Sequence, residues 1–396
     1  MQYTNVTFRL TDGSLFSLPR RFKRHKATLL GKLHQVVDGR SRQGLRHPLE
    51  NILIIILYGM LAGCTNLVEI VELAHADNVF FKRILKMPHG IPHPTTISYA
   101  LQLCDMGTLI QVYLSWREII YGVISDKVAS FDGKTMNGVH GEGVIKHILS
   151  LLTHDNLTTI GQIGVDQKEN EIPAAKRLFQ QIPSSLLMGI TLIGDALHAQ
   201  IDTAVAIRTA QAHYLLIVKG NQEELMKAIA EYFSRSEESY DTASDFQYGH
   251  GRQIKTTVTV SHANDMVAYL SDWKDISMVG RIHRGGTRRY RQKIHIVDET
   301  VYFVASTPNL TAQTALKMVR GHWKIENNLH RTKDMLYLED QQTLRLGTAP
   351  QVITFLRSMA INLFTLLKFA HISQSVRLLK YNRKTHHDFM QWAAIV

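Results

Sequence analysis

Residues 126–135 read DKVASFDGKT, and two runs of similar character follow, HILSLLTHDN (147–156) and TTIGQIGVDQ (158–167). Each is a short stretch of apolar and β-branched residues bounded by turn formers, which predicts three strands joined as an antiparallel meander. The pattern then changes. NEIPAAKRLFQQI (170–182) has helical spacing, MGITLIGDAL (188–197) reads as a strand, HAQIDTAVAIRTAQA (198–212) as a helix and HYLLIVKGN (213–221) as a strand. Strands linked through helices run parallel, so the sheet is expected to finish with parallel members.

Three antiparallel strands followed by helix, strand, helix, strand is the order of a ribonuclease-H-like α/β fold. In that order the first and fourth strands are neighbours. Asp132 ends the first, with Gly133 read as the point where the chain turns, and Asp195 ends the fourth. Either Asp alone reads as a turn former or helix cap. Side by side they suit phosphodiester cleavage by two divalent ions, which needs carboxylates converging on one point.

Working outward, apolar spacing is helical from Pro48 to about Tyr121 (PLENILIIILYGMLAG, TNLVEIVELAHAD, FFKRILKM, TTISYALQLCD). This suits a helix-turn-helix-like reader of DNA ends and equally a plain bundle. Its most apolar piece, Ile52 to Gly63, is too short for the roughly 20 residues of a membrane-spanning helix and reads as buried core. A helix continues over 222–234, and 237–306 is strand-like: KTTVTVSHA, DMVAYLS, MVGRIHR, RYRQKIHIV and TVYFVAS. The expected organisation is a loosely held basic arm (1–45), a helical, DNA-end-binding region (46–122), a catalytic core (123–234 and 307–370) carrying a β-rich insertion (235–306), and a basic tail (371–396).

The net charge of +11 is concentrated at the ends: residues 1–50 hold ten Lys/Arg against three acids, and 368–396 five against one. Basic ends around a neutral body suit a polyanionic partner such as nucleic acid, though a solvated basic tail has the same composition. Cys64 and Cys104 have no partner at metal-ligand spacing, and no secretory leader is apparent. The expected setting is a reducing cytoplasm, without membrane attachment.

A third carboxylate should come from a helix beside the sheet. In the helix expected over 311–335, α-helical spacing aligns Glu326 with His322, His330 and Lys333. Flanking Trp323, Ile325 and Leu329 argue against a fully solvated stripe. A zinc site of His322, Glu326 and His330 lacks the adjacent-Glu arrangement of a zinc protease helix. Elsewhere, Lys219-Gly220-Asn221-Gln222 closes a strand near the same lip, and RIHRGGTRRYRQK (281–293) holds six Lys/Arg around a Gly-Gly pair, read as a basic hairpin tip able to clamp DNA.

FDGKT, VDQKENEIPA, GDALHAQ, AHYLLIVKGNQ, GHGR and RGHWKIENNLHRTKDMLYLEDQQTLRLGTAP occur in this order, and with them the chain resembles IS4-type DDE transposases of the ISAs1 group, which includes the H-repeat-associated proteins. The resemblance runs from about Asp38 to Phe364. It implies Asp132, Asp195 and Glu326 as the metal-binding catalytic triad, two Mg²⁺ ions for which Mn²⁺ can substitute, double-stranded DNA ends and target as substrates, and a homo-oligomer on DNA. A catalytically idle DNA-binding relative and a plain metal nuclease are the alternatives. The broader IS4 pattern is Tyr, two residues, Arg, three residues, Glu, six residues, Lys; Glu326 and Lys333 match, whereas Val319 and His322 hold the Tyr and Arg positions. Lys333, His322, Trp323, Arg320, Lys219, Asn221, Arg252, Arg288 and Arg289 are the expected DNA contacts.

Overall fold

The structure, a computed structural model of the chain, describes residues 7–18, 27–141, 143–235, 240–249, 251–290 and 293–396. The strands are β1 (Thr7–Arg9), β2 (Leu15–Ser17), β3 (Val128–Thr135), β4 (His147–Thr153), β5 (Thr159–Val165), β6 (Thr191–Gly194), β7 (His213–Val218), β8 (Asp241–Gly249), β9 (Arg252–His262), β10 (Met278–Tyr290) and β11 (Lys293–Ala305). β1 and β2 form a small hairpin. The other nine make one mixed sheet in the order β5-β4-β3-β6-β7-β11-β10-β9-β8.

β3, β4 and β5 are antiparallel, while β3, β6 and β7 run parallel, as the changing period of the sequence predicts. The insertion continues this sheet: Tyr302–Ala305 of β11 pair with Leu215–Val218 of β7. Both faces are covered, so β6 and β7 are continuously apolar. Leu192, Tyr214 and Leu216 belong to the core on one face, together with Leu178 and Phe179 of the helix Glu171–Gln181. Ile193 and Leu215 point the other way, into a core shared with Ala315, Leu316 and Val319 of the helix Ala312–Lys324.

The helical region is built on Leu49–Leu61 and Ala349–Leu366, both almost wholly buried. Polar residues in the second are satisfied where it crosses the sheet. Gln351 Oε1 accepts from Gly164 N at 3.0 Å, Asn362 Oδ1 accepts from Thr159 N at 2.9 Å, and Asn362 Nδ2 donates to Tyr113 Oη at 2.8 Å. The N-terminal helices and the sheet thus share one core. Among the described residues no helix is long and apolar enough to cross a membrane.

Four expectations change. The run Arg20, Arg21, Lys23, Arg24, Lys26 lies outside the described residues, but the described parts of the basic arm are packed: Phe8 stacks on Phe369 at 4.6 Å, Phe16 lies 4.9 Å from Trp392, and Leu29 and Leu30 N–H donate to the carbonyls of Ala394 and Ile395. The basic tail is two helices, Ile372–Tyr381 and Arg383–Trp392, which bury Val376, Leu379, Phe389 and Met390. Net charge obscured an apolar stripe at helical spacing. DMVAYLS is not a strand: it falls in the helical turns Ala263–Met266 and Val267–Leu270, with Met266 and Leu270, one helical turn apart, both buried. Gly285-Gly286 is no turn either. The pair lies inside β10, where a Cβ on Gly286 would stand 2.0 Å from the Gln253 carbonyl oxygen, so glycine serves close strand approach. Pairing between β10 and β11 continues as far as Tyr290 and Lys293.

Candidate active site

Side chains alternate across a strand, so pairing register decides which face receives each carboxylate. Phe131 packs on Phe179 and His198 on one face of the sheet. Ser130 and Asp132 therefore face the other, where Ser130 Oγ meets His154 Nε2 at 2.7 Å. β3 and β6 pair through Ser130 and Ile193, and a Cβ on Gly194 would strike Phe131, so Asp195 falls on the same face as Asp132. Asp195 also caps the short helix Ala196–His198, its Oδ1 accepting from Leu197 N at 3.0 Å.

The third carboxylate comes from the helix covering that face. Gly321 brings it close: a Cβ there would lie 2.2 Å from His154 Nδ1, and Lys324 Nζ donates to the His154 carbonyl at 2.7 Å. Ala312–Lys324 then passes into a π-helical stretch, Ile325–His330, before resuming as Arg331–Tyr337. This wider turn keeps Glu326 and His330 on one side but displaces the residues after them by roughly a quarter turn from α-helical count.

Ligand atoms of Asp132, Glu326 and His330 all lie within 4.8 Å of one another. His330 is 2% exposed, and its Nε2 is 3.5 Å from Asp132 Oδ2. His322 is held below the ordinary imidazole range by burial, against the pull of the Asp132 and Asp195 charges. Asp195 stands outside the tight cluster, at the rim of the same face. Two acids with a buried imidazole between strand and helix are a donor set that fits a divalent cation.

The reverse side of Gly133 corrects another expectation. β3 runs straight through this residue, so no turn occurs there. Glycine is needed because a Cβ would lie 2.3 Å from both Glu171 Oε1 and His147 Nε2. Glu171 links β4, the neighbour of the Asp132 strand, to the turn after Asp195: it bonds His147 of β4 at 2.7 Å and His198, three residues after Asp195, at 3.1 Å. Burial opposes its charge, yet these two hydrogen bonds hold its carboxyl down at about 2. Gly133→Ala is expected to destabilise the fold by about 1–3 kcal/mol through overpacking. A lowered urea midpoint would register it, and an unchanged midpoint would refute the close-packing account.

The expected DNA contacts separate into groups. Arg252, Arg288, Arg320 and Trp323 line one concavity of about 350 Å³ with Arg284 and Asn327, immediately beside Glu326. Arg284 lies over the Trp323 ring at 5.8 Å, and Arg320 is paired with Asp245. Arg289 is exposed on the same strand as Arg288. Asn221 donates to the Ala196 carbonyl and Gln222 to that of Ala199 at 3.1 Å, so this segment supports the turn after Asp195. Lys219 pairs with Glu299 at 3.3 Å. Lys333 is the clearest departure: displaced by the π turn, it is 1% exposed, and its ammonium lies 4.0 Å from the buried Glu339 carboxylate instead of facing a groove. Spacing alone gave His330 no role in the triad and did not single out Glu171, His147 or His154, because their partners are distant in sequence.

Comparison with known proteins matches the sequence to a family. The family described as "Transposase DDE domain" matches residues 125–363, and "DDE_Tnp_1-associated" matches residues 30–117. "Putative transposase YncI" of Escherichia coli O157:H7 is 26% identical over 343 residues, covering 85% of this chain and 87% of its own. "H repeat-associated putative transposase YhhI" of Escherichia coli K12 is 26% identical over 347 residues, covering 85% and 90%. The first family match spans more than half of the chain, a domain that implies a ribonuclease-H-like fold, DNA as substrate and dependence on a divalent metal, and the protein is therefore a member of the DDE transposase family.

Proposed function

We propose that this enzyme hydrolyses a phosphodiester at the ends of an insertion sequence and joins the freed 3′-hydroxyl to target DNA at the same site. The observation carrying this reading is the approach of Asp132 and Glu326, from a strand and a helix far apart in sequence, to within 4.8 Å on the face that also receives Asp195. The strand order β5-β4-β3-β6-β7 supports a ribonuclease-H-like core. In this reading Asp132, Asp195 and Glu326 hold two Mg²⁺ ions, with Mn²⁺ able to substitute. Bound ions of this kind neutralise the scissile phosphate and lower the pKa of an attacking water or hydroxyl.

The chain's own residues do the positioning. The arginines and Trp323 beside Glu326 offer phosphate contacts and a plate on which an unstacked terminal base can lie. His322, where the wider pattern has Arg, is kept largely neutral by burial and contributes a hydrogen bond instead of a fixed charge. The helical region over 46–122 reads the ends, and a homo-oligomer brings two ends together. Incubating the protein and Mg²⁺ with a labelled end-bearing duplex and a target plasmid tests this. Joined product is expected. Cutting without joining would assign a nuclease, and binding alone an idle relative.

A further inference from the structure

Inside the cluster, His330 has chemistry that the carboxylate triad leaves unused. It is 2% exposed, and neither ring nitrogen has a hydrogen-bond partner. Leaving a buried polar nitrogen unpaired costs about 1–3 kcal/mol, so such a side chain is retained where something else completes it. Asp132 does not: its Oδ2 is 3.5 Å from Nε2, beyond hydrogen-bond length. The backbone points the same way. His330 and Glu326 share the π-helical stretch, and irregularities of this kind are frequent where a helix aims side chains at a functional point. Two carboxylate oxygens and one imidazole nitrogen within 4.8 Å stand close to the spread of donors around a single ion: two ligands at about 2.1 Å each are at most about 4.2 Å apart, a limit that a small side-chain adjustment meets.

We propose that His330 is a nitrogen ligand to the divalent cation held by Asp132 and Glu326. This rests on those two acids being the metal site. The consequence is a cation preference. Mg²⁺ takes oxygen donors almost exclusively, whereas imidazole suits transition ions, so a nitrogen in the set tilts the site toward Mn²⁺. His322, whose Nδ1 is also buried and unpartnered and which feels the charges of both Asp132 and Asp195, is the competing imidazole.

Electron spin echo spectroscopy of Mn²⁺ added to the full-length wild-type protein is the direct test, because it detects nitrogen bound to manganese without any substitution. A ¹⁴N modulation is expected. It should disappear in His330→Ala, with Mn²⁺ affinity falling at least about tenfold while Mg²⁺ affinity falls less. His330→Gln provides a second variant should the alanine protein fold poorly. Bound Mn²⁺ without nitrogen modulation, or modulation lost only in His322→Ala, would overturn the assignment while leaving the metal site intact. Mn²⁺ binding that survives both Asp132→Asn and Glu326→Gln would instead remove the metal-site reading, and this proposal with it.

Discussion

Asp132→Asn should lower both DNA cleavage and strand joining by about three orders of magnitude while leaving the fold intact, the loss of several kcal/mol of transition-state stabilisation that a bound metal supplies. The substitution keeps shape and removes charge. Asp132 follows the buried Phe131 on β3, with its own side chain 30% exposed, so an amide fits where the carboxylate was. It stands within 4.8 Å of Glu326 and of the His330 imidazole, so no other acid in the tight cluster replaces both its position and its charge. Quantifying cut and joined products from a labelled end-bearing duplex, beside circular dichroism of the variant, gives the answer. Activity within tenfold of wild type, with the fold retained, would dismiss Asp132 as a metal ligand. Binding of the duplex should persist, because the arginine-lined concavity beside Trp323 is untouched.

Glu339→Ala should cost about 3–5 kcal/mol of stability, the usual penalty for removing one partner of a buried ion pair. Glu339, Lys333 and Arg357 are each buried, with Arg357 Nη1 3.5 Å and Lys333 Nζ 4.0 Å from the Glu339 carboxylate. Arg357 also donates to Gln342 Oε1 at 2.7 Å and to the Thr65 carbonyl at 3.4 Å, joining three segments of the fold. Lys333→Met should be neutral or stabilising at pH 7, because Arg357 still pairs with Glu339 and methionine fills similar volume without the second buried cation. Burial pulls the Lys333 ammonium down to about 8, against the attraction of Glu339. Between about pH 8 and the ordinary lysine value, the unfolded chain holds a proton that the folded chain has released. Stability from this group therefore rises with pH over that window, and the cost of the buried charge is carried in full below it. The gap between wild type and Lys333→Met should shift in favour of wild type as pH climbs from 8 to 10, a comparison in which the raised thiols of Cys64 and Cys104 cancel. Urea unfolding at the two pH values measures it. A DNA-binding salt dependence that changes in Lys333→Met would show instead that this ammonium reaches a phosphate.

The catalytic sheet was legible because its signals are local. DKVASFDGKT, HILSLLTHDN and TTIGQIGVDQ alternate or run apolar over strand lengths, and the later helices separate β6 from β7 clearly enough to require parallel pairing. The adjacency of the two strands that lead to Asp132 and Asp195 came from strand order alone. The features that were not legible depend on contacts between distant residues. Gly133 looked like a turn, and only the approach of Glu171 and His147 explains it. Lys333 looked aligned with Glu326 because the count assumed 3.6 residues per turn, and nothing in IENNLH announces a π stretch. The ends looked like solvated basic segments because charge outweighed Phe8, Phe16, Phe389 and Trp392, which find one another only after folding.

The ladder between β7 and β11 governs how this protein tolerates changes of length. Excising the segment between Arg235 and Ser306 would strip β7 of its neighbour and leave the backbone groups of Leu215–Val218 unpaired on one side. A bare row of that kind recruits other chains, so such a truncation would yield aggregates instead of a minimal catalytic unit. Added residues are accommodated instead where the β8–β9 and β10–β11 ladders end, with Gly249 facing Arg252 and Tyr290 facing Lys293, since no ladder to β7 is interrupted there. Fusion partners or reporter loops inserted there would ride on the basic strands without loosening the strands that carry the carboxylates.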